Sequence, residues 1–95
     1  MAAKASYTPV ELTAAGNIRA AAGKLTSLIV ANPSSGTLVV KVNDAITSTT
    51  GEVFQVSVIA YDTKQLIFNP PMPFATGIRC GTLGDGLIVT GSFVD

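Results

Sequence analysis

The sequence has no histidine and no tryptophan, a single cysteine, and few charges: six Lys or Arg against six Asp or Glu. Without histidine there is no Ser-His-Asp triad, no Cys-His pair and no imidazole-ligated zinc or iron site. One cysteine, Cys80, rules out an intrachain disulfide and a CxxC metal knuckle, so the chain must hold together by packing or by association. A net charge of zero leaves no basic footprint, and a nucleic-acid partner is not expected. No stretch approaches the roughly 18 uninterrupted apolar residues of a membrane-spanning helix. Residues 1–6 lack the apolar segment of a signal peptide, so neither membrane insertion nor Sec export is expected.

The side chains left for chemistry are sparse. Glu11, Asp44, Glu52, Asp62, Asp85 and Asp95 come singly, mostly beside Gly, Asn or Thr, where a carboxylate serves turn hydrogen bonds with its own backbone. No D-x-[DN]-x-[DN]-G calcium loop is present. Cys80 alternates with Ile78 and Thr82 on one strand face, which puts Arg79, the adjacent cation, on the other face and leaves the thiol a small buried hydrophobe. Gly81-Thr82-Leu83-Gly84-Asp85-Gly86 lacks both the Lys-Ser/Thr and the following helix of a phosphate loop, so it reads as a turn. The expectation is a protein that is not an enzyme, with no catalytic residue, no metal site and no cofactor.

What the chain does have is Val, Ile, Leu and Ala in short runs, spaced by Gly, Thr and Ser, the composition of strands and tight turns. Residues 1–9 carry no pattern and are expected to form a flexible N-terminal arm, with residues 10–95 a single β domain. Val10 and Leu12 share one strand face. Residues 14–22 are Ala-rich, but Gly16 and Gly23 leave too little length for a stable helix. The run Leu25, Leu28, Ile29, Val30 ends at Asn32-Pro33-Ser34-Ser35-Gly36, after which Leu38, Val40 and Val42 alternate; the two segments predict a hairpin.

Phe54, Val56 and Val58 alternate in the next strand. An extended segment then runs from Leu66 to Phe68, and Pro70-Pro71-Met72-Pro73 predicts a crossing between sheets, because proline cannot donate to a ladder. Ile78, Cys80 and Thr82 form a further strand face. Gly84-Asp85-Gly86 predicts a hairpin turn into a last strand with Leu87, Val89 and Phe93 inward. The strand rhythm predicts an all-β fold, a small antiparallel β-sandwich or jelly-roll-like barrel of seven to eight short strands; an immunoglobulin-like sandwich fits the same count.

Alternation leaves Val39, Ile59, Ile88 and Val94 on faces assigned to solvent. With so little charge, these residues, together with Tyr7 and Pro9 near the arm, are the candidate subunit interface. Three stretches and a Gly-flanked closing strand carry a resemblance. The stretches are Gly23-Lys24-Leu25-Thr26-Ser27-Leu28-Ile29-Val30, then Gly36-Thr37-Leu38-Val39-Val40-Lys41-Val42-Asn43-Asp44-Ala45, and Phe74-Ala75-Thr76-Gly77-Ile78. In this order they resemble the small virion proteins of tailed bacteriophages, over residues 16–94, although the aromatic close common in such sequences is lacking.

The resemblance implies a compact β-sandwich or jelly roll that decorates a capsid as a cement protein or head-fibre base. It also implies synthesis in the host cytoplasm, a final place on the capsid surface of the virion, major capsid protein or other virion subunits as partners, and a homo-oligomer, with a trimer favoured. A tail or head-tail accessory protein, and a carbohydrate- or peptide-binding sandwich with exposed aromatics such as Tyr7 and Tyr61, are the alternatives.

Overall fold

Short alternating runs become eight strands in the computed structural model, which describes residues 8–48 and 51–94 and contains no helix among them. They are β1 (Thr8–Leu12), β2 (Gly16–Arg19), β3 (Gly23–Ala31), β4 (Leu38–Asp44), β5 (Glu52–Val58), β6 (Thr63–Phe74), β7 (Ile78–Leu83) and β8 (Ile88–Val94). Two four-stranded sheets result: sheet A in the order β1-β8-β3-β6 and sheet B in the order β2-β7-β4-β5, with every neighbouring pair antiparallel.

The pairing has a simple rule. β1 lies on β8, β2 on β7, β3 on β6 and β4 on β5, so the chain is one long folded ribbon of four strand pairs, rolled until its two halves stack. That is the jelly-roll form of an antiparallel sandwich. The immunoglobulin-like alternative is thereby replaced, and all β connections except β4–β5 pass from one sheet to the other.

The interior is filled from both sheets by the residues that alternation turns inward. Leu28, Val30 and Val89 of sheet A and Val40, Val42, Val58, Ile78 and Cys80 of sheet B are fully buried. Val10 and Leu12 of β1 pack against this core from the sheet edge. Phe54 and Phe68 meet across the β5–β6 side, ring centroids 5.7 Å apart, and cover the gap between the two edge strands. Gly91 of β8 faces inward where β2 crosses beneath it; a Cβ there would stand 2.4 Å from Cδ1 of Ile18, so the close approach requires glycine.

Several expectations are corrected. The predicted β3–β4 hairpin does not form, because β3 belongs to sheet A and β4 to sheet B. The turn at Gly84-Asp85-Gly86 exists, with Leu87 N–H donating to the Gly84 carbonyl at 3.0 Å, yet it too joins different sheets. Turn residues mark where a chain reverses; they do not choose the partner strand. β1 begins at Thr8, so Pro9 lies in register opposite Ser92 and not in an arm, while residues 1–7 lie outside the described residues.

The Ala-rich stretch contains an unexpected short strand, β2. Nor do the prolines cross between sheets: β6 continues through them along the edge of sheet A, with Met72, Pro73 and Phe74 opposite Leu25, Lys24 and Gly23. An edge strand has one unpaired side, where a missing N–H costs nothing. Finally, a register shift between Lys41 and Val42 places Thr82 opposite outward Lys41 and leaves it exposed, where strict alternation had it inward.

Candidate interaction surface

Sheet A turns one face to the core and one to solvent, and the registers define the outer face. Pro9, Ser92, Ser27 and Ile67 form one row across β1, β8, β3 and β6; Glu11, Thr90, Ile29 and Gln65 form the next; Ile88, Ala31 and Thr63 form a third. At the other end, Val94, Lys24 and Pro73 complete the face.

Three isoleucines cross it diagonally. Ile88, Ile29 and Ile67 are 38%, 37% and 71% exposed, each one strand over and two residues along from the next. That diagonal spacing is about 7–8 Å between Cα atoms, near enough for side-chain contact. Most of the remaining positions are Ser, Thr, Gln and Pro. Glu11 and Lys24 are its charged members, both exposed, and both lie on the same side of the isoleucine line.

A doubled irregularity shapes one end of this face. Thr26 is an extra residue in β3 relative to both neighbours, and its hydroxyl donates to the Ser92 carbonyl at 2.9 Å. Opposite it, β6 spends four residues, Phe68, Asn69, Pro70 and Pro71, before pairing resumes at Met72. The bulged strand opens a groove of about 520 Å³ lined by Ser27, Ile67, Asn69, Pro71 and Ser92 among others. Hydroxyl, amide and apolar groups line it, without a charged side chain.

Sheet B carries a second apolar set on its own outer face. Val53 and Ile59, 46% and 61% exposed, flank outward Gln55 and Ser57, and half-buried Val39 is in register with Ser57. Of the six residues anticipated at an interface, Pro9, Ile88 and Val94 therefore lie on sheet A, Val39 and Ile59 lie on the sheet B side, and Tyr7 is outside the described residues. The structure does not bring them into one patch. Ile29 and Ile67 join Pro9, Ile88 and Val94 on sheet A: each stands between two inward apolar neighbours, Leu28 and Val30 or Leu66 and Phe68, and a strand must turn that middle residue outward.

The polar groups support the frame. The Asp44 carboxylate reaches across to another connection: it accepts from the backbone N–H groups of Thr76 at 2.8 Å, Ala75 at 3.0 Å and Gly77 at 3.3 Å, fixing the crossing from β6 to β7. Those bonds, led by Thr76 and Ala75, hold its carboxyl below the ordinary carboxylate range. Burial pushes the Cys80 thiol up to about 11, against a smaller opposing effect of Arg79. Among the described residues, no three His, Cys, Asp or Glu side chains converge as metal ligands. Tyr61 is 75% exposed at the β5–β6 corner, with φ of 58°.

Fold and surface together define a small jelly-roll sandwich with apolar residues on both outer faces. No family model, curated protein or solved structure gives a significant match to the chain.

Proposed function

We propose that this chain is a structural virion protein that decorates and stabilises a bacteriophage capsid by binding between neighbouring capsid subunits. The observation that carries this reading is the pair of opposed apolar faces, Ile29, Ile67 and Ile88 on sheet A and Val39, Val53 and Ile59 on sheet B, on a unit whose dimensions are 48 × 28 × 19 Å. A part that bridges neighbours needs two contact surfaces and a stiff body between them. Jelly rolls recur in capsid and lectin domains, and the phage assignment itself rests on the sequence resemblance. Burial of apolar area drives such contacts at roughly 25 cal/mol per Å², while a neutral, charge-poor surface lets many copies pack side by side.

The test is binding to expanded capsids. Purified chain is mixed with capsids that lack it, sedimented, and imaged by electron microscopy. Saturable co-sedimentation with density at symmetry-related shell sites is expected. Density confined to the tail would move the role to a tail accessory protein, and absence from purified particles together with no co-sedimentation would overturn the reading.

A further inference from the structure

We infer that the outer face of sheet A is a self-complementary surface that binds a second copy of this chain across a two-fold axis. The strand registers lead to this without reference to any capsid. Strands lie about 4.8 Å apart and alternate residues on one strand about 6.8 Å apart. On that grid Ile29 is the midpoint between Ile88 and Ile67, because Ile88 lies one strand and two residues to one side and Ile67 one strand and two residues to the other.

Glu11 and Lys24 repeat the same vector. Glu11 is in register with Thr90 on β8, and Lys24 with Val94 on β8 and Pro73 on β6, so the two are separated by two strands and four residues, as Ile88 and Ile67 are. Their midpoint is Ser92. When two such faces are apposed, an axis lying in the interface through Ile29 and perpendicular to the isoleucine line exchanges Ile88 with Ile67; it passes about 3 Å from Ser92, so it brings Glu11 to within about 6 Å of Lys24, inside the reach of their long side chains.

One rotation thus satisfies four requirements together. Ile29 meets Ile29 of the second copy on the axis. Ile88 meets Ile67 and enters the groove beside Ser27, Asn69 and Pro71, which is wide enough at about 520 Å³ to receive a branched aliphatic side chain. Glu11 meets Lys24, and Lys24 meets Glu11, giving two ion pairs. Among the described residues neither has an ion-pair or side-chain hydrogen-bond partner, so both are available. An isologous contact demands this reciprocity, in which residue i touches j and j touches i.

The axis is oblique to the strands, so the apposed sheets cross nearer to a right angle than to parallel, one of the two favoured sheet-on-sheet geometries. Four strands by the seven residues of β8 project to about 19 by about 24 Å, roughly 450 Å² per partner, which places the pair among small, weakly associating interfaces. The pair would use sheet A alone and leave the Val39, Val53 and Ile59 face uncovered. It replaces the trimer implied by the resemblance with a two-fold unit.

The test is sedimentation equilibrium of the purified full chain, with no capsid present, between about 1 and about 500 µM, the range in which an interface of this size associates. A concentration-dependent rise to twice the 9.7 kDa chain mass is expected. Ile29→Lys sets two ammonium groups against each other on the axis and should weaken the pair by more than about tenfold. Glu11→Lys and Lys24→Glu should each weaken it by about two- to fivefold, as rim charge pairs do, and the double exchange should restore it.

Circular dichroism and the melting temperature of each variant control for folding. Should Ile29→Lys fail to fold, Ile67→Glu at its 71% exposed site and the charge exchange decide the matter. A monomer throughout the range, a trimer, or a dimer indifferent to these substitutions overturns the inference. Because no capsid is used, that failure would leave the decoration reading to its own test.

Discussion

Replacing Asn32 should destabilise this protein more than any other single surface-loop change. The side chain is only 2% exposed and makes five hydrogen bonds. Its amide group shares two hydrogens among the carbonyls of Gly36 at 2.8 Å, Val58 at 2.9 Å and Ile59 at 3.2 Å, while Oδ1 accepts from Ser34 N–H at 2.9 Å and Ser34 hydroxyl at 2.7 Å. It thereby ties the β3–β4 crossing to the end of β5 and the turn that follows it.

In Asn32→Ala the buried Val58 carbonyl loses its side-chain donor, worth about 1–3 kcal/mol, and the four part-buried bonds add about 0.5 kcal/mol each, for a total of about 3–5 kcal/mol. That is a large share of the ~5–14 kcal/mol expected of a 95-residue domain. Melting should fall by about 12–40 °C, and the urea midpoint should drop with the slope unchanged.

Asn32→Asp is nearly isosteric and should do comparable damage at neutral pH, since an anionic oxygen would then face three carbonyl oxygens. The sign follows from the raised carboxyl pKa in that site. With the acid protonated in both states the extra penalty is absent; it grows as pH rises through the unfolded value near 3.9 and levels off above the folded value. A loss under about 1 kcal/mol for Asn32→Ala, or no pH dependence for Asn32→Asp, would refute the assigned role.

Gly91→Ala forces a methyl against Ile18 in the packed centre and should cost about 1–3 kcal/mol by urea denaturation, whereas Gly36→Ala, with nothing within 4 Å of the added carbon, should be nearly neutral. Equal effects would contradict the close approach of β2 and β8. Asp44 contributes stability that is fully present above its ordinary value of 3.8 and is lost as pH falls through its lower folded value. Wild type should therefore exceed Asp44→Asn by more at pH 6 than at pH 3, and a constant difference between urea midpoints would exclude the carboxylate as the anchor of residues 75–77. Cys80, fully buried with its thiol raised to about 11, should resist a thiol reagent at pH 7 in the folded protein and react on unfolding; rapid stoichiometric labelling of the native state would place it elsewhere.

Strand content was legible because strand alternation is local: Leu38, Val40 and Val42, or Phe54, Val56 and Val58, declare an inward face within five residues. The same alternation identifies outward apolar residues, and Ile88 and Val94 were found by it. What it does not convey is adjacency. Ile88, Ile29 and Ile67 are 59 residues apart at the extremes, and only the β8-β3-β6 order lays them on one diagonal. The prolines of β6 show the same limit, since a ladder-breaking residue is harmless on an edge strand, and edge position belongs to the sheet.

Composition and local periodicity alone determined that the chain is all-β, lacks imidazole chemistry and has few charges to present. Tertiary structure decided the strand pairs, the jelly-roll order, the partners of Asp44 and Asn32, and which outward side chains share a face. The physical reason is that alternation sets the direction of each side chain one residue at a time. Pairing is instead chosen by the burial of all the inward faces together, and reversing turns are compatible with more than one such arrangement.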